Sequence, residues 1–284
     1  FKADIEVTVD TFKTSAISLV DIETRLTANS GDIDLENDFR GTAGGEYRNR
    51  VELDVGADVA NLKLDSGGKD IKLGLMSGPE IAESERPSTN LDIDIEARGA
   101  TARALASSTN GRVLLTQGPG RVDNDVIATV SGDVLSQLFS ALNPLAETEE
   151  FTNWECSAME LKFTDGDGEM TAFLLQSEQL MILAGGGVDL NTEKLDFEFN
   201  TKPREGVGLS ADMFVTPFVK LTGTLSSPGV GLNAKGALLS GGAAVMTGGM
   251  SFLYQGLMDR ATAQGDRCAQ VLAEVGAEGG AAPE

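Results

Sequence analysis

Period-two alternation of apolar and polar residues runs through most of the first hundred positions, and it narrows the fold of this chain more than any other feature. It is carried by "DIEVTVD", "GDIDLEND", "RVELDVGADV", "NLKLDSG", "DIKLGL" and "LDIDIEARG". Successive side chains of a strand point to opposite faces, so each segment is a strand with two unlike sides. One side carries Ile5, Val7 and Val9, then Ile33 and Leu35, then Val51, Leu53 and Val55, then Leu91, Ile93 and Ile95. The other carries Asp4, Glu6, Asp32, Asp34, Glu36, Glu52, Asp54, Asp92, Asp94 and Glu96. The punctuation "NSGD", "TAGGE" and "DSGGKD" reads as turns between them.

A sheet with one apolar face must cover that face with helices, with a second sheet, or with something that is not protein. No amphipathic helix pattern occurs in these hundred residues. Two solutions remain: a sandwich or closed barrel in which apolar faces meet, or a long curved antiparallel sheet, groove-like or an open barrel, whose apolar face holds lipid. The eleven apolar residues named above are the candidate groove lining.

Beyond Gly99 the pattern changes. "TARALASSTNG" has helical spacing with Leu105 inward and Gly111 as a stop, and "RVLLTQGPGRVDN" reads as a hairpin turning on Gly118, Pro119 and Gly120. "SGDVLSQLFSALNP" is a short amphipathic helix, capped by Ser131 or Asp133, with a stripe of Val134, Leu135, Leu138, Phe139 and Leu142 and a stop at Asn143-Pro144. From Cys156 strands resume as a meander, with turns at Asp165 to Gly168, Gly185 to Gly187 and Asn191 to Glu193. "LTGTLSSPGVGLN" is a strand, a turn at Pro228-Gly229 and a second short strand.

Asp165, Asp167 and Glu169 in "DGDGE" invite a calcium reading. A calcium loop of the EF-hand kind needs ligands across about twelve residues between helices, so the segment reads as a hairpin tip and no metal site is assigned. The uncharged stretch "GALLSGGAAVMTGGMSFLYQGLM", Gly236 to Met258, has the length of a membrane span, but its six glycines dilute its apolarity. It is expected to form a glycine-rich helical cap reaching residue 276 with the polar helix after it, before a loose tail over 277–284.

Charge and residue usage exclude several function classes. Lys and Arg total 22 against 44 Asp and Glu, a formal net charge of -22, which repels phosphate backbones and argues against nucleic acid as a partner. Histidine is absent, which removes the commonest general base and every Ser-His or Cys-His arrangement. No catalytic residue and no cofactor is assigned, and the chain reads as a non-enzyme. The two cysteines, Cys156 and Cys268, are either separate buried thiols or a disulfide tying the last helix to the sheet.

Residues from about 100 to 276 resemble the C-terminal region of the AsmA-like family of Gram-negative envelope proteins. The carrying segments are "SSTNGRVLLTQGPGRV", "VLSQLFSALNP", the run "KFTDGDGEMTAFLLQSEQLMILAGGGVDLNTEKLDFEFNTKP", "FVKLTGTLSSPGVGLN", and "KGALLSGGAAV" through "DRCAQVL". The first hundred residues match only as generic alternating strands. The resemblance implies a periplasmic β-rich body, anchored to the inner membrane by an N-terminal helix outside this sequence, that carries phospholipid or another acyl lipid. Envelope proteins are possible partners. It also implies a disulfide for Cys156 and Cys268, because the periplasm is oxidising. On this reading the chain divides into repetitive strands over 1–99, an AsmA-like β region with short helices over 100–235, and the helical cap.

Overall fold

The computed structural model describes residues 2–14, 18–56, 58–72, 80–124, 150–204, 218–233 and 268–273. The helix expected at 131–144 and the uncharged stretch from Gly236 to Met258 lie outside them. Fourteen strands form one antiparallel sheet that does not close on itself. They are β1 Lys2–Lys13, β2 Ser18–Asn29, β3 Asp32–Gly41, β4 Glu46–Asp54, β5 Ala60–Ile71, β6 Thr89–Gly99, β7 Asn110–Gln117, β8 Gly120–Asp123, β9 Phe151–Thr164, β10 Asp167–Ser177, β11 Leu180–Asp189, β12 Lys194–Pro203, β13 Phe218–Thr224 and β14 Ser227–Asn233. Each strand pairs with the next in sequence, except that β9 takes both β7 and β8 along one edge. The expected long open sheet is therefore the fold, and a closed barrel is not.

The tight turns follow from residues that tolerate positive φ. Ser30 and Gly31 join β2 to β3 at φ 56° and 118°, and Asp165 and Gly166 join β9 to β10 at 48° and 80°. Both are two-residue loops with positive φ at both positions, whose twist matches that of the strands they link. The tip of "DGDGE" is thus a hairpin turn. Helix α1, Ala102–Ser107, starts at Thr101, whose Oγ1 accepts from the Ala104 amide at 3.1 Å. A second helical segment, α2, covers 268–273.

Several expected boundaries move. "DSGGKD" is not a turn: Asp65 to Asp70 continue β5, because Ser66, Gly67 and Gly68 are paired on both sides, to β4 and to β6. Gly111 does not stop α1, which ends at Ser107; it stands in β7 at φ 127°, with its Cα face against Asp94. Gly118 to Gly120 make no hairpin. β8 prolongs β7 along the same edge of β9, and the break arises where the Gly118 amide turns aside to donate to the Ser88 carbonyl and Pro119 has no N–H to give.

Gly185 to Gly187 likewise lie inside β11, paired with Glu198, Phe197 and Asp196. Gly186 has φ 114°, and a Cβ there would fall 2.0 Å from the Asp196 carbonyl oxygen, so glycine serves close strand approach and not a turn. The strand expected to open at Cys156 begins earlier, at Phe151. Pro228 and Gly229 belong to β14, facing Gly223 and Thr222, while the turn is Leu225-Ser226. β14 is the last of the described strands, at the end of the sheet, so the missing proline N–H costs no ladder bond there.

Candidate functional site: an apolar face along the sheet

Register places the alternating apolar residues in rows that run across the strands. One row crosses every main-path strand: Ile5, Leu26, Leu35, Val51, Leu64, Ile95, Gly111, Phe163, Gly168, Val188, Leu195, Gly223 and Pro228. Beside it Ile33 faces Leu53, Leu53 faces Leu62, and Leu62 faces Ala97. Toward the other strand ends Ile93, Val113, Leu161 and Met170 form a second row, and Leu91, Leu115, Met159 and Phe173 a third. Val7 and Val9 stand on the same face of β1, opposite Thr24 and Ile22. Val55 lies just past the end of β4, where its amide donates to the Gly31 carbonyl at 2.8 Å.

Covering of this face differs along the sheet. In β1 the candidates are open to solvent: Ile5 is 50% and Val7 48% exposed. Ile33, Leu35, Val51, Leu53, Leu91, Ile93 and Ile95 are half-buried. From β10 to β13 the face becomes a core, with Met170, Ile182, Ala184, Val188, Leu195, Phe197, Phe199 and Val219 all buried. There the rings of Phe173 and Phe199 meet edge to face at 5.7 Å. Sequence reasoning did not single out this second half. Strands β10 and β11 are apolar on both sides, so alternation does not say which side is which.

The opposite face changes character at the same place. Over β2 to β6 it is charged, laced with exposed pairs such as Arg25–Glu6 at 3.2 Å, Arg48–Asp38 at 2.8 Å and Arg50–Glu52 at 2.8 Å. Such pairs contribute about 0 to 1 kcal/mol each and mainly keep this side wet. A cleft of about 1200 Å³ opens on this face, lined by Asp21, Asp38, Arg48, Asp65, Lys69 and Asp92 among others. Six acidic and three basic side chains line it. Over β9 to β11 this face is dry: Ala158, Ala172, Leu174, Met181 and Leu183 pack with Val271 and Leu272 of α2. Cys156 and Cys268 join α2 to β9 in a disulfide, with Cα atoms 5.9 Å apart.

One carboxylate sits at that border. Glu160 is fully buried, accepts from the Thr171 hydroxyl at 2.5 Å, and is paired with Arg112 at 3.5 Å and Lys162 at 3.6 Å. Two cations and a hydroxyl offset the cost of burying its charge. Its partners are fixed strand positions, and no second carboxylate or nucleophile shares its space in a way that resembles a reacting site.

The apolar face is interrupted at two rows, one of Thr89, Gln117 and Ser157 at the ends of β6 and β7 and inside β9, the other across β2 to β5. Thr24, Asn37, Asn49 and Ser66 are successive cross-strand neighbours on β2, β3, β4 and β5, between the row of Leu26 to Leu64 and that of Phe39, Tyr47 and Gly68. Asn37 Nδ2 donates to Thr24 Oγ1 at 2.7 Å, and the Ser66 hydroxyl donates to Asn49 Oδ1 at 2.5 Å. Ser66 is buried, and the two asparagines are half-buried.

The family model for the AsmA family matches residues 1–172. The chain belongs to the AsmA family. The match spans β1 to β9 and ends within β10, so it includes the alternating strands, which on their own sequence are generic. Membership suggests an envelope-associated role in lipid handling or outer-membrane biogenesis, in a family that is generally non-enzymatic. No curated protein and no solved structure matches this AsmA-family chain. Among the described residues no helix is long and apolar enough to cross a membrane, and no group of three or more metal-binding side chains comes together.

Proposed function

We propose that this AsmA-family chain is a periplasmic lipid-binding and lipid-transfer module, holding or conducting phospholipid along the apolar face of its sheet for outer-membrane maintenance. The observation that carries the reading is the unbroken apolar row from β1 to β14 on a sheet that stays open. Between β1 and β6 that row is left half-exposed or exposed. Apolar surface of this extent is costly in water, at about 25 cal/mol per Å². Acyl chains satisfy it without asking for hydrogen bonds, while the acidic face meets solvent. The inner-membrane anchor and any envelope protein partner belong to the same proposal.

The test is lipid mass spectrometry on natively purified protein. Phospholipid is expected to co-purify, and Leu53→Asp with Ile93→Asp is expected to abolish it, because a charge within an acyl-lined row is strongly unfavourable. Asp34→Asn and Asp94→Asn on the wet face are expected to leave the lipid load unchanged. Unmutated protein free of lipid would overturn the reading.

An alternative is an envelope scaffold that recruits a protein partner through this face or a sheet edge. The outer edge of β1, twelve residues long, has no partner strand among the described residues and favours it, since an unpaired edge is a template for strand addition. It predicts a stably co-purifying protein and no lipid.

A further inference from the structure

The polar row through Thr24, Asn37, Asn49 and Ser66 interrupts the apolar groove face across β2 to β5, apart from the row of Thr89, Gln117 and Ser157 farther along the sheet. The neighbouring positions on that face are Leu26, Leu35, Val51 and Leu64 on one side and Phe39, Tyr47 and Leu91 on the other. None of the groove-facing positions from β2 to β6 is a Lys, Arg, Asp or Glu between Ile22–Ala28, Ile33–Phe39, Tyr47–Leu53, Leu62–Gly68 and Leu91–Ala97. The row spans three inter-strand spacings, about 14 Å. It stops at Ile93, from which the same row continues as Val113, Leu161 and Met170.

Its hydrogen bonds are internal but incomplete. Asn37 Nδ2 is used by Thr24 Oγ1 and, at 3.4 Å, by the Glu23 carbonyl; Asn49 Oδ1 is used by Ser66. Asn37 Oδ1 and Asn49 Nδ2, on directly opposed residues, have no protein partner among the described residues. An asparagine amide offers one carbonyl acceptor and two N–H donors. An uncharged acceptor and donor pair thus sits side by side within an apolar trough.

Resting on the lipid-binding reading, we infer that this row is the subsite for the uncharged ester region of an acyl lipid, with Asn49 Nδ2 donating to an ester carbonyl while the chains lie along the flanking apolar rows. The chemistry matches on two counts. Ester carbonyls accept hydrogen bonds and carry no charge, and the row supplies a donor with no cation beside it. A phosphate would call for Lys or Arg, which these groove positions lack. The Asn37–Thr24 and Asn49–Ser66 bonds hold both amides in place, so little side-chain freedom is lost on binding.

The test compares a diacyl phospholipid with its dialkyl ether analogue of identical headgroup and chain length, titrated into the whole protein. The ether lacks the carbonyl acceptors and keeps everything else. The unmutated protein is expected to bind the ester lipid about five- to tenfold tighter, the range of one net hydrogen bond. Asn37→Val with Asn49→Val is expected to bind both lipids alike, with affinity for the ether form retained.

Equal binding of the two lipids by unmutated protein would overturn the subsite and leave the groove standing. Binding of neither would overturn both. Should the double variant fail to fold, the comparison on unmutated protein still decides. A double variant that keeps the ester preference would show that the row only pins strand register, and would equally overturn the inference.

Discussion

The two ends of this sheet solve the same problem differently. In β1 to β6 one face is apolar and half-exposed and the other is acidic and wet. In β9 to β13 the apolar face is a buried core, and over β9 to β11 the second face is also dry, roofed by α2 and fastened by the disulfide. A sheet dry on both sides has its own hydrophobic stabilisation, whereas one with an uncovered apolar face is stabilised chiefly by its ladder. The C-terminal strands are therefore the anchor of the molecule, and the N-terminal strands are the part free to offer apolar surface to a ligand.

The largest expected effect sharpens that contrast. Cys156 and Cys268 close a loop with a sequence separation of 112, and the chain-entropy account assigns such a bond about 4 to 5 kcal/mol. The Cys156→Ser, Cys268→Ser variant should lose that much in urea unfolding followed by fluorescence of Trp154, the only tryptophan, which lies in β9. An unchanged midpoint would break the idea of a fastened anchor.

Next in size is one substitution made in both regions. Leu174→Ala, at a fully buried site under α2, is expected to cost about 3 kcal/mol, with a cavity left behind. Leu64→Ala, at a half-buried site on β5, is expected to cost about 1 kcal/mol, because much of its surface is already in water. Equal losses would erase the difference between the regions. Glu160→Gln should follow at about 1 to 3 kcal/mol, since it removes the charge that Arg112 and Lys162 share, and its loss should be insensitive to salt because the carboxylate is buried.

The smallest effects differ in sign. The Thr42 hydroxyl, donating to Glu83 at 2.8 Å, holds that carboxyl below its usual range. Glu83 thus adds stability above the ordinary carboxylate pKa, lost as pH falls through its folded value. Burial, helped by neighbouring Asp167, pushes Glu169 up. Stability linked to Glu169 is present below the ordinary pKa and is lost as pH rises through its folded value. Between about pH 3 and pH 7, Thr42→Val should flatten a small rise in urea midpoint and Glu169→Gln a small fall. Glu169 is exposed and Glu83 half-buried, so solvent screening should keep both shifts slight. Shifts of the same sign would show that the two carboxyls do not sense different surroundings.

Most of the N-terminal sheet was legible in the sequence, because one wet and one dry face force alternation, and alternation is visible residue by residue. Ile33, Leu53 and Ile95 needed no partner to be assigned to the dry side. The C-terminal face was less legible for the same reason turned around: Leu174 and Leu175 are both apolar, one under α2 and one in the groove. The glycines misled where they were clustered. "DSGGKD" and "AGGG" look like turns, yet Gly67 and Gly186 are strand positions; at Gly186 glycine serves the close approach of two backbones, and at Gly67 a side chain would meet open space.

The sequence by itself determined strands, their sidedness, the acidic solvent face and the absence of histidine chemistry, all of which are local or compositional. Only the tertiary structure decided that the sheet stays open, that β8 extends β7, and that Cys156 meets Cys268. Only it aligned Thr24, Asn37, Asn49 and Ser66 into one row. Each of these depends on register between segments distant in the chain, and a shift of one residue would put every side chain of a strand on the other face. Alternation tells which side of its own strand a residue occupies; strand pairing alone tells which residues stand beside it.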